Sequence, residues 1–376
     1  MDQLVNKKIS KIAEIWRYYL LESKYLRNVL KIDNEYEVGY VSHLLGYYHD
    51  TNQLIFTPFS YTSNNDRISK QISLLQSIYV QQDFIEELLR FFKLNINKGS
   101  LKQDQNYSIN RDIRNELVGH PIRRINNNGT LISSCLFGYE GGSENISYLK
   151  YHADNNFKCE IIELSISDII TRHKEFLIKY LDKILHKLKK IFSGYITKLR
   201  NLRELSKTKN FEELLKITSV FFESIFDSDY IYDKESLLIV YSKKDQHLRY
   251  QNIIIKFYQD LEIALIEKIK ITEDIFSLPE EQVVSKDLES PIINLQIIEA
   301  ENYPLNRPVT YHYELGKLST MRDLREFRYY SECLKNKCLN NQLVLDELTH
   351  MENNNFNKIE YYSALGLIQT ELNKAQ

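Results

Sequence analysis

Tyr107-Ser108-Ile109-Asn110-Arg111-Asp112-Ile113-Arg114-Asn115-Glu116-Leu117-Val118-Gly119-His120-Pro121 is the stretch on which the reading of this chain turns. Ile109, Ile113 and Leu117 recur every four residues, the spacing of one helical face, and are expected to be buried. Arg111 and Asn115 share a neighbouring face, as do Arg114 and Val118. Gly119 is suited to end the helix in the left-handed conformation. Pro121 cannot continue a helix and biases His120 toward an extended backbone. His120 is therefore expected just past the helix end, with its ring folded back beside Arg114. Arg123 and Arg124 follow at once and add local positive charge.

Upstream, residues 4–29 read as a helix, with Ile9, Ile12, Ile15, Trp16, Tyr19 and Leu20 at helical spacing. Residues 33–61 are less regular, holding Pro58 and several aromatics. Ser63-Asn64-Asn65-Asp66 offers an N-cap for a long helix over 67–92, with Ile68, Ile72, Leu75, Tyr79, Ile85, Leu88, Leu89 and Phe92 as its apolar stripe. Residues 95–105 read as a polar turn around Gly99.

Downstream, Asn126-Asn127-Asn128-Gly129 is a turn, and the runs 131–139 and 146–151 read as a β-hairpin, with 159–164 as a candidate third strand. Ser165 or Ser167 then caps a long helix over 168–205. Its Lys179, Lys183, Lys187 and Lys190 make one basic stripe. Residues 206–210 are the best linker. Beyond them come a helix over 211–226, a short strand at 237–241, a long helix over 246–270, an irregular stretch over 278–308 and two or three closing helices over 318–372.

Formal net charge is −2, so no whole-chain attraction to nucleic acid is implied and any basic surface must be local. Only 11 glycines and 6 prolines occur, which argues against sandwiches, propellers and Gly-rich nucleotide loops. Cys135, Cys159, Cys333 and Cys338 show no metal-ligand spacing, and no cofactor motif is read. No run approaches the length of a membrane span, and residues 1–30 are unlike a signal peptide, so a cytoplasmic protein with no membrane partner is expected.

The motif Arg114-Asn115-Glu116-Leu117-Val118-Gly119-His120 resembles that of HEPN-family ribonucleases: an arginine, a polar residue, a short spacer and a histidine. The flanking long helices resemble the family's helical core, over about residues 33–205. A second match, Arg307-Pro308-Val309-Thr310-Tyr311-His312, has proline in the polar place and is read as chance. The resemblance implies a homodimer in which both motifs line one cleft, and a product carrying a 2′,3′-cyclic phosphate.

The chemistry suits the residue types. Metal-free RNA cleavage needs a base for the 2′-hydroxyl proton, an acid for the leaving 5′-oxygen, and positive charge at the phosphorus. His120 can exchange protons, as imidazoles do near neutral pH. Arg114 can hold a phosphate with two hydrogen bonds, and Asn115 can orient the histidine or the substrate. The plainer alternative pairs Arg114 with a carboxylate and leaves His120 to the helix dipole. Arg111, Arg123, Arg124 and the stripe Lys179, Lys183, Lys187 and Lys190 are candidate RNA-backbone contacts.

The expected protein is mainly α: an N-terminal helix (1–32), an HEPN-like helical bundle (33–205) with a small β-hairpin insertion near 131–164, and a helical C-terminal domain (206–376). The expected function is a metal-independent endoribonuclease, by family analogy a toxin or antiviral-defence effector. RNA and a second copy of the chain are its expected partners, and an antitoxin, sensor or activator would act through the C-terminal domain. The competing reading is a non-catalytic helical RNA-binding or protein-interaction module with a structural Arg/His motif.

Overall fold

The computed structural model describes residues 3–20, 24–32, 35–57, 60–94, 97, 99–125, 130–135, 144–219, 233–277, 310–320 and 323–374. It is mainly helical with one small antiparallel sheet. The chain folds as two compact units, residues 1–195 and 196–376.

The first unit is built around a single helix with an unusual polar face. α1 (Gln3–Ile15) buries Val5, Ile9, Ile12 and Ile15, then widens into a π turn over Trp16–Leu20. α2 (Lys24–Leu30) follows. The helix expected over 4–29 is described as α1 with its π turn and as α2, residues 21–23 lying outside the described residues. Trp16 is fully buried with its ring edge-on to Phe91 at 5.2 Å.

α3 (Glu35–Phe56) occupies much of the stretch expected to be irregular. Its buried positions, Val41, Leu45, Tyr48, Thr51, Asn52 and Ile55, follow helical spacing. Two of them are polar and satisfied, because the Tyr48 hydroxyl donates to Asn52 Oδ1 and Gln81 Nε2 donates to Thr51 Oγ1.

α4 (Asn64–Phe91) starts where the cap predicts: Ser63 is extended and its hydroxyl accepts from the Asp66 amide. The apolar stripe is largely as expected, although Ile72 is exposed. Four glutamines do the rest. Gln71 donates to Asn145 O, Gln76 accepts from Arg114, Gln81 accepts from His173, and Gln82 donates to Tyr107 O. The bonds tie α4 to three neighbours at fixed axial positions: β3 through Gln71, α5 through Gln76 and Gln82, and α6 through Gln81. A buried amide left without its partner costs about 1–3 kcal/mol, so these bonds also oppose sliding.

After Gly99 (φ +82°) and a short 3-10 turn, Asp104 caps α5 (Gln105–Arg114) by accepting from the Asn106 amide. The expected buried face is rotated. Ile109 is 41% exposed and Ile113 half-buried, whereas Tyr107, Asn110 and Leu117 are buried. The cause is Asn110, which is fully buried and bonded on both sides: its amide donates to Ile169 O, and its oxygen accepts from Arg172 Nε.

Among the described residues the β insertion has four strands: β1 (Ile122–Ile125), which was not expected, β2 (Thr130–Cys135) and β3 (Asn145–His152), the expected hairpin, and β4 (Lys158–Ser165), the candidate third strand. They pair antiparallel in sequence order, with Ile122 opposite Ser133, Ser133 opposite Tyr151, and Tyr148 opposite Ile162. Residues 126–129 and 136–143, expected as a turn and the end of the first hairpin strand, lie outside the described residues. Ile146 and Tyr148 of β3 join Leu117, Ile55, Ile68, Leu74, Leu75 and Ile78 in one core, together with Ile166 and Ile169 at the start of α6 (Ile166–Thr208). The expected linker at 206–210 is instead the last turn of α6 and Asn210, the N-cap of α7 (Phe211–Thr218).

His173 of α6 is fully buried and its Nε2 lies 2.8 Å from Gln81 Oε1. Gln81 offers an acceptor, so Nε2 carries the proton and the ring is neutral. Burial pushes the pKa of His173 down to about 3. The unfolded chain therefore takes a proton at about 6.5 that the folded chain refuses, and stability is lost as pH falls from about 6.5 toward 3. Chemical denaturation of the wild type at pH 7 and at pH 5 is expected to differ by about 1–2 kcal/mol, within the limit of roughly 1.4 kcal/mol per pH unit per group. Most paired carboxylates contribute only at lower pH, and His173→Gln flattens the profile in this window. Equal stability of the wild type at both pH values contradicts the assignment.

The second unit is helical throughout its described elements. α8 (Lys234–Ser242) replaces the strand expected at 237–241, because Asp233 accepts from the Ser236 amide and starts a helix. α9 (Leu248–Ser277) follows. Residues 220–232 and 278–309, which include part of an expected helix and the irregular segment, lie outside the described residues. Among the described residues four helices follow: α10 (His312–Leu318), α11 (Leu324–Lys337), α12 (Gln342–Asn353) and α13 (Lys358–Lys374). They bury Leu315, Phe327, Leu334, Leu348, Met351 and Tyr361 together. α9 and α13 approach closely at Gly366, where a Cβ would stand 2.8 Å from Ile253 Cδ1. Glu360 accepts from Lys243 Nζ and Tyr250 Oη, each at 2.6 Å, and from His350 Nε2 at 3.0 Å. Burial opposes its charge, but these three donors outweigh it and hold the carboxyl at about 2.

Candidate active site

Arg114 is the last residue of α5, and the helix does not stop there. It widens into a π turn over Asn115–Gly119, closed by the His120 amide donating to Asn115 O at 2.6 Å. Gly119 is therefore not left-handed, as the sequence reading expected; the π turn ends the helix instead. His120 has φ −140° and ψ 59°, which is only partly extended, and it is exposed.

Gly119 is needed for closeness rather than for a positive φ. A Cβ there would stand 2.6 Å from Arg114 Nη1 and 3.4 Å from Asn115 Oδ1. The guanidinium thus lies within about 4 Å of the Gly119 Cα, and one step along the backbone of about 3.8 Å places it within about 8 Å of the His120 Cα. The π turn and the glycine together bring Arg114, Asn115 and His120 to one end of the helix.

Arg114 is held without an acid. Its Nε and Nη2 both donate to Gln76 Oε1, at 3.1 and 3.0 Å, and Nη1 donates to Asn115 Oδ1 at 3.1 Å. Its Cζ sits 3.9 Å from the ring centroid of Tyr79. Among the described residues no carboxylate lies within ion-pair distance of it. A guanidinium has five N–H donors, so two remain uncommitted, as a phosphate oxygen pair requires. Side-chain amides and an aromatic ring fix its position yet leave its charge uncompensated.

The other candidate cations differ. Arg111 pairs with Asp83 at 2.8 Å and lies over Tyr79 at 3.6 Å. Arg123 donates to His120 O at 3.1 Å and reaches Glu116 Oε2 at 3.4 Å. Arg124 is exposed on β1. Lys179 pairs with Asp104 at 2.7 Å. Burial disfavours charge on Asp104, but Lys179, the Asn106 amide and Tyr180 more than offset this and keep its carboxyl below the ordinary range. Lys183, Lys187 and Lys190 line a separate cleft on α6. The second match in the sequence is divided: residues 307–309 lie outside the described residues, and His312 opens α10.

Glu116 has a role that its place in the spacer concealed. Its carboxylate accepts from Tyr148 Oη at 3.0 Å and Ser134 Oγ at 3.4 Å, and pairs with Lys150 Nζ at 3.1 Å and with Arg123. These residues come from β3, β2, β3 and β1 in turn. Burial disfavours its charge, but Lys150, Tyr148 and Arg123 outweigh that, so its pKa is lowered. Burial, and then the same carboxylate, push the Tyr148 phenol far up. Glu116 thus pins the π turn to the sheet, and Arg123 carries that constraint to the His120 carbonyl. Gln76, Tyr79 and Glu116 lacked any motif; only their amide, ring or charge type beside a motif could have suggested them.

The closeness at Gly119 has a measurable consequence. Gly119→Ala forces Arg114 Nη1 away from Asn115, and any activity that depends on the guanidinium is expected to fall roughly ten- to a hundredfold. Stability should change by about 1 kcal/mol or less, because the displaced atom is at the end of a side chain. Unchanged activity would remove the argument for close positioning.

No family model, curated protein or solved structure matches the chain.

Proposed function

We propose that this protein is a metal-independent endoribonuclease of HEPN type, with Arg114, Asn115 and His120 as its cutting groups. The observation that carries the reading is the uncompensated Arg114 guanidinium, fixed by Gln76, Asn115 and Tyr79 at the helix end that His120 follows. A purely structural arginine at a helix end would be expected to take a carboxylate partner, as Arg111 takes Asp83.

In the proposed reaction an imidazole removes the 2′-hydroxyl proton and the 2′-oxygen attacks the adjacent phosphorus. The P–O5′ bond breaks, and a second acid returns a proton to the leaving 5′-oxygen. The products are a 2′,3′-cyclic phosphate and a 5′-hydroxyl. The two free N–H groups of Arg114 neutralise the phosphorane-like oxygens, and Asn115 keeps Arg114 in place. One motif supplies one imidazole, so the second proton carrier comes from the motif of a second copy, in a homodimer with a composite cleft. A toxin or defence effector fits such an enzyme, and the helical C-terminal unit would then receive the restraining or activating partner.

The test is incubation of purified protein with structured and single-stranded RNA in EDTA. Degradation by the wild type that both Arg114→Ala and His120→Ala lose supports the reading. RNA left intact by the wild type across tRNA, rRNA and single strands, with retained salt-sensitive binding, supports the binding-module alternative instead.

A further inference from the structure

Three of the four lysines in the stripe on α6 form part of something more specific than a wet helix face. Lys183, Lys187 and Lys190 line one side of an open cleft of about 730 Å³, together with Tyr180 and His186. Its other side comes from the C-terminal end of α4 and the segment after it, through Leu89, Lys93, Leu94 and Ser100. Lys93 enters from a left-handed backbone, φ +52°, at the point where the Leu94 amide closes back onto Leu89 O at 2.9 Å. Glycine is the residue that usually fills such a position. The one acid lining the cleft, Asp182, is already paired with Lys8.

Four lysines therefore converge with no free acid among the lining residues. The C-terminal dipole of α4 offers only about half a negative charge against them. Lys183 also lies over the Tyr180 ring at 4.6 Å. Along α6, Lys183, Lys187 and Lys190 spread their charge over roughly 10 Å at 1.5 Å of rise per residue. That is about the length of three nucleotides of a stacked strand at roughly 3.4 Å each. A row of point charges in an open groove suits a chain of phosphates better than one compact anion.

We propose that this cleft holds the phosphate backbone of RNA at a site apart from the cutting groups. The proposal rests on the ribonuclease reading for the identity of the polyanion. Arg114 is bonded to Gln76, and α4 runs 15 positions on from there to Phe91, about 22 Å by helical rise, with Lys93 two residues beyond its end. A strand reaching both points needs roughly seven or eight nucleotides. Strands shorter than that cannot hold the cleft and the cutting groups at once, and longer ones can.

The test uses the full chain carrying His120→Ala, so that bound RNA is not cut. Binding of a labelled 20-nucleotide single strand and a 6-nucleotide one is followed from 50 to 300 mM salt. Adding Lys93→Gly, Lys183→Gln, Lys187→Gln and Lys190→Gln is expected to weaken the 20-mer at least tenfold at 0.1 M salt. The slope of log K against log salt should shrink by about 3, at roughly 0.7 per lost lysine contact on a single strand. The 6-mer fits either point but cannot span both, so it should weaken less than the 20-mer. The fold should survive, since glycine suits the backbone at Lys93 and glutamine retains helix propensity. A 20-mer affinity within twofold of the parent and an unchanged slope overturn the proposal. So does loss of ATP or pyrophosphate binding in the variant with RNA binding unaffected, which would assign the cleft to free phosphate compounds. Cutting is not needed in this assay, so a wild type that cuts no RNA yet loses 20-mer binding in the variant sinks the ribonuclease reading and supports the cleft.

Discussion

Replacing His120 with alanine is expected to lower the single-turnover rate of RNA cleavage by about 10²–10⁴-fold, the usual contribution of a proton-transferring side chain. The exposed imidazole makes no side-chain hydrogen bond among the described residues, so folding stability should move by less than about 0.5 kcal/mol. Rate and stability are thus predicted to separate cleanly at this position. Arg114→Ala is expected to cost roughly 10²–10³-fold in rate, the loss seen when one charge-stabilising donor is removed. It will not be silent for the fold, because Gln76 Oε1 and Asn115 Oδ1 lose their donor. Arg114→Lys is the sharper variant. It keeps the charge but cannot donate to Gln76 and Asn115 while presenting two N–H groups to a phosphate, so most of the rate should still be lost. A His120→Ala protein with wild-type rate would remove the histidine from the mechanism.

Glu116→Ala is the variant expected to damage the fold most among single changes near the motif. It strands Lys150 Nζ, Tyr148 Oη and part of Arg123 against a largely buried position, where the Glu116 side chain is only 15% exposed. Removing one partner of such a cluster costs about 2–4 kcal/mol. Activity should fall with stability, because Arg123 loses the anchor from which it holds the His120 carbonyl. Glu116→Gln keeps an acceptor for Tyr148 and should recover part of the loss, while the missing charge still weakens Lys150 and Arg123. The measurement is denaturant unfolding of both variants beside their cleavage rates. Wild-type stability in Glu116→Ala would show that the sheet does not depend on this carboxylate.

What could be read from the sequence was whatever is written in local chemistry. Ser63 as a cap, Gly99 as a turn, and the strands near 131, 146 and 159 needed only nearest neighbours. α3 is not legible in the sequence because its buried stripe is interrupted by Thr51 and Asn52, whose burial makes sense only once Gln81 and Tyr48 supply partners. The same cause rotated α5. Ile109 looks like core and Asn110 like surface until Ile169 O and Arg172 are beside them. β1 was hidden by its two arginines, which read as charge rather than as a strand. At the site, the order Arg114, Asn115, His120 was visible, but the π turn was not, since Gly119 beside a proline suggested a left-handed stop. The partners Gln76 and Tyr79 are some 35 residues upstream and carry no pattern that points to Arg114. Long-range amide bonds leave no periodicity behind them.

In the proposed mechanism a 2′-oxygen is the attacking group, served by His120 and Arg114. Its most direct test is one pair of substrates in EDTA: an oligoribonucleotide cut by the wild-type protein, and the same strand with a single 2′-deoxy nucleotide on the 5′ side of the mapped cut. The predicted result is cleavage of the first, leaving a 2′,3′-cyclic phosphate and a 5′-hydroxyl, and no cleavage of the second at that position. Cutting of the deoxy-substituted strand at the same site, or products that carry a 5′-phosphate, would contradict it.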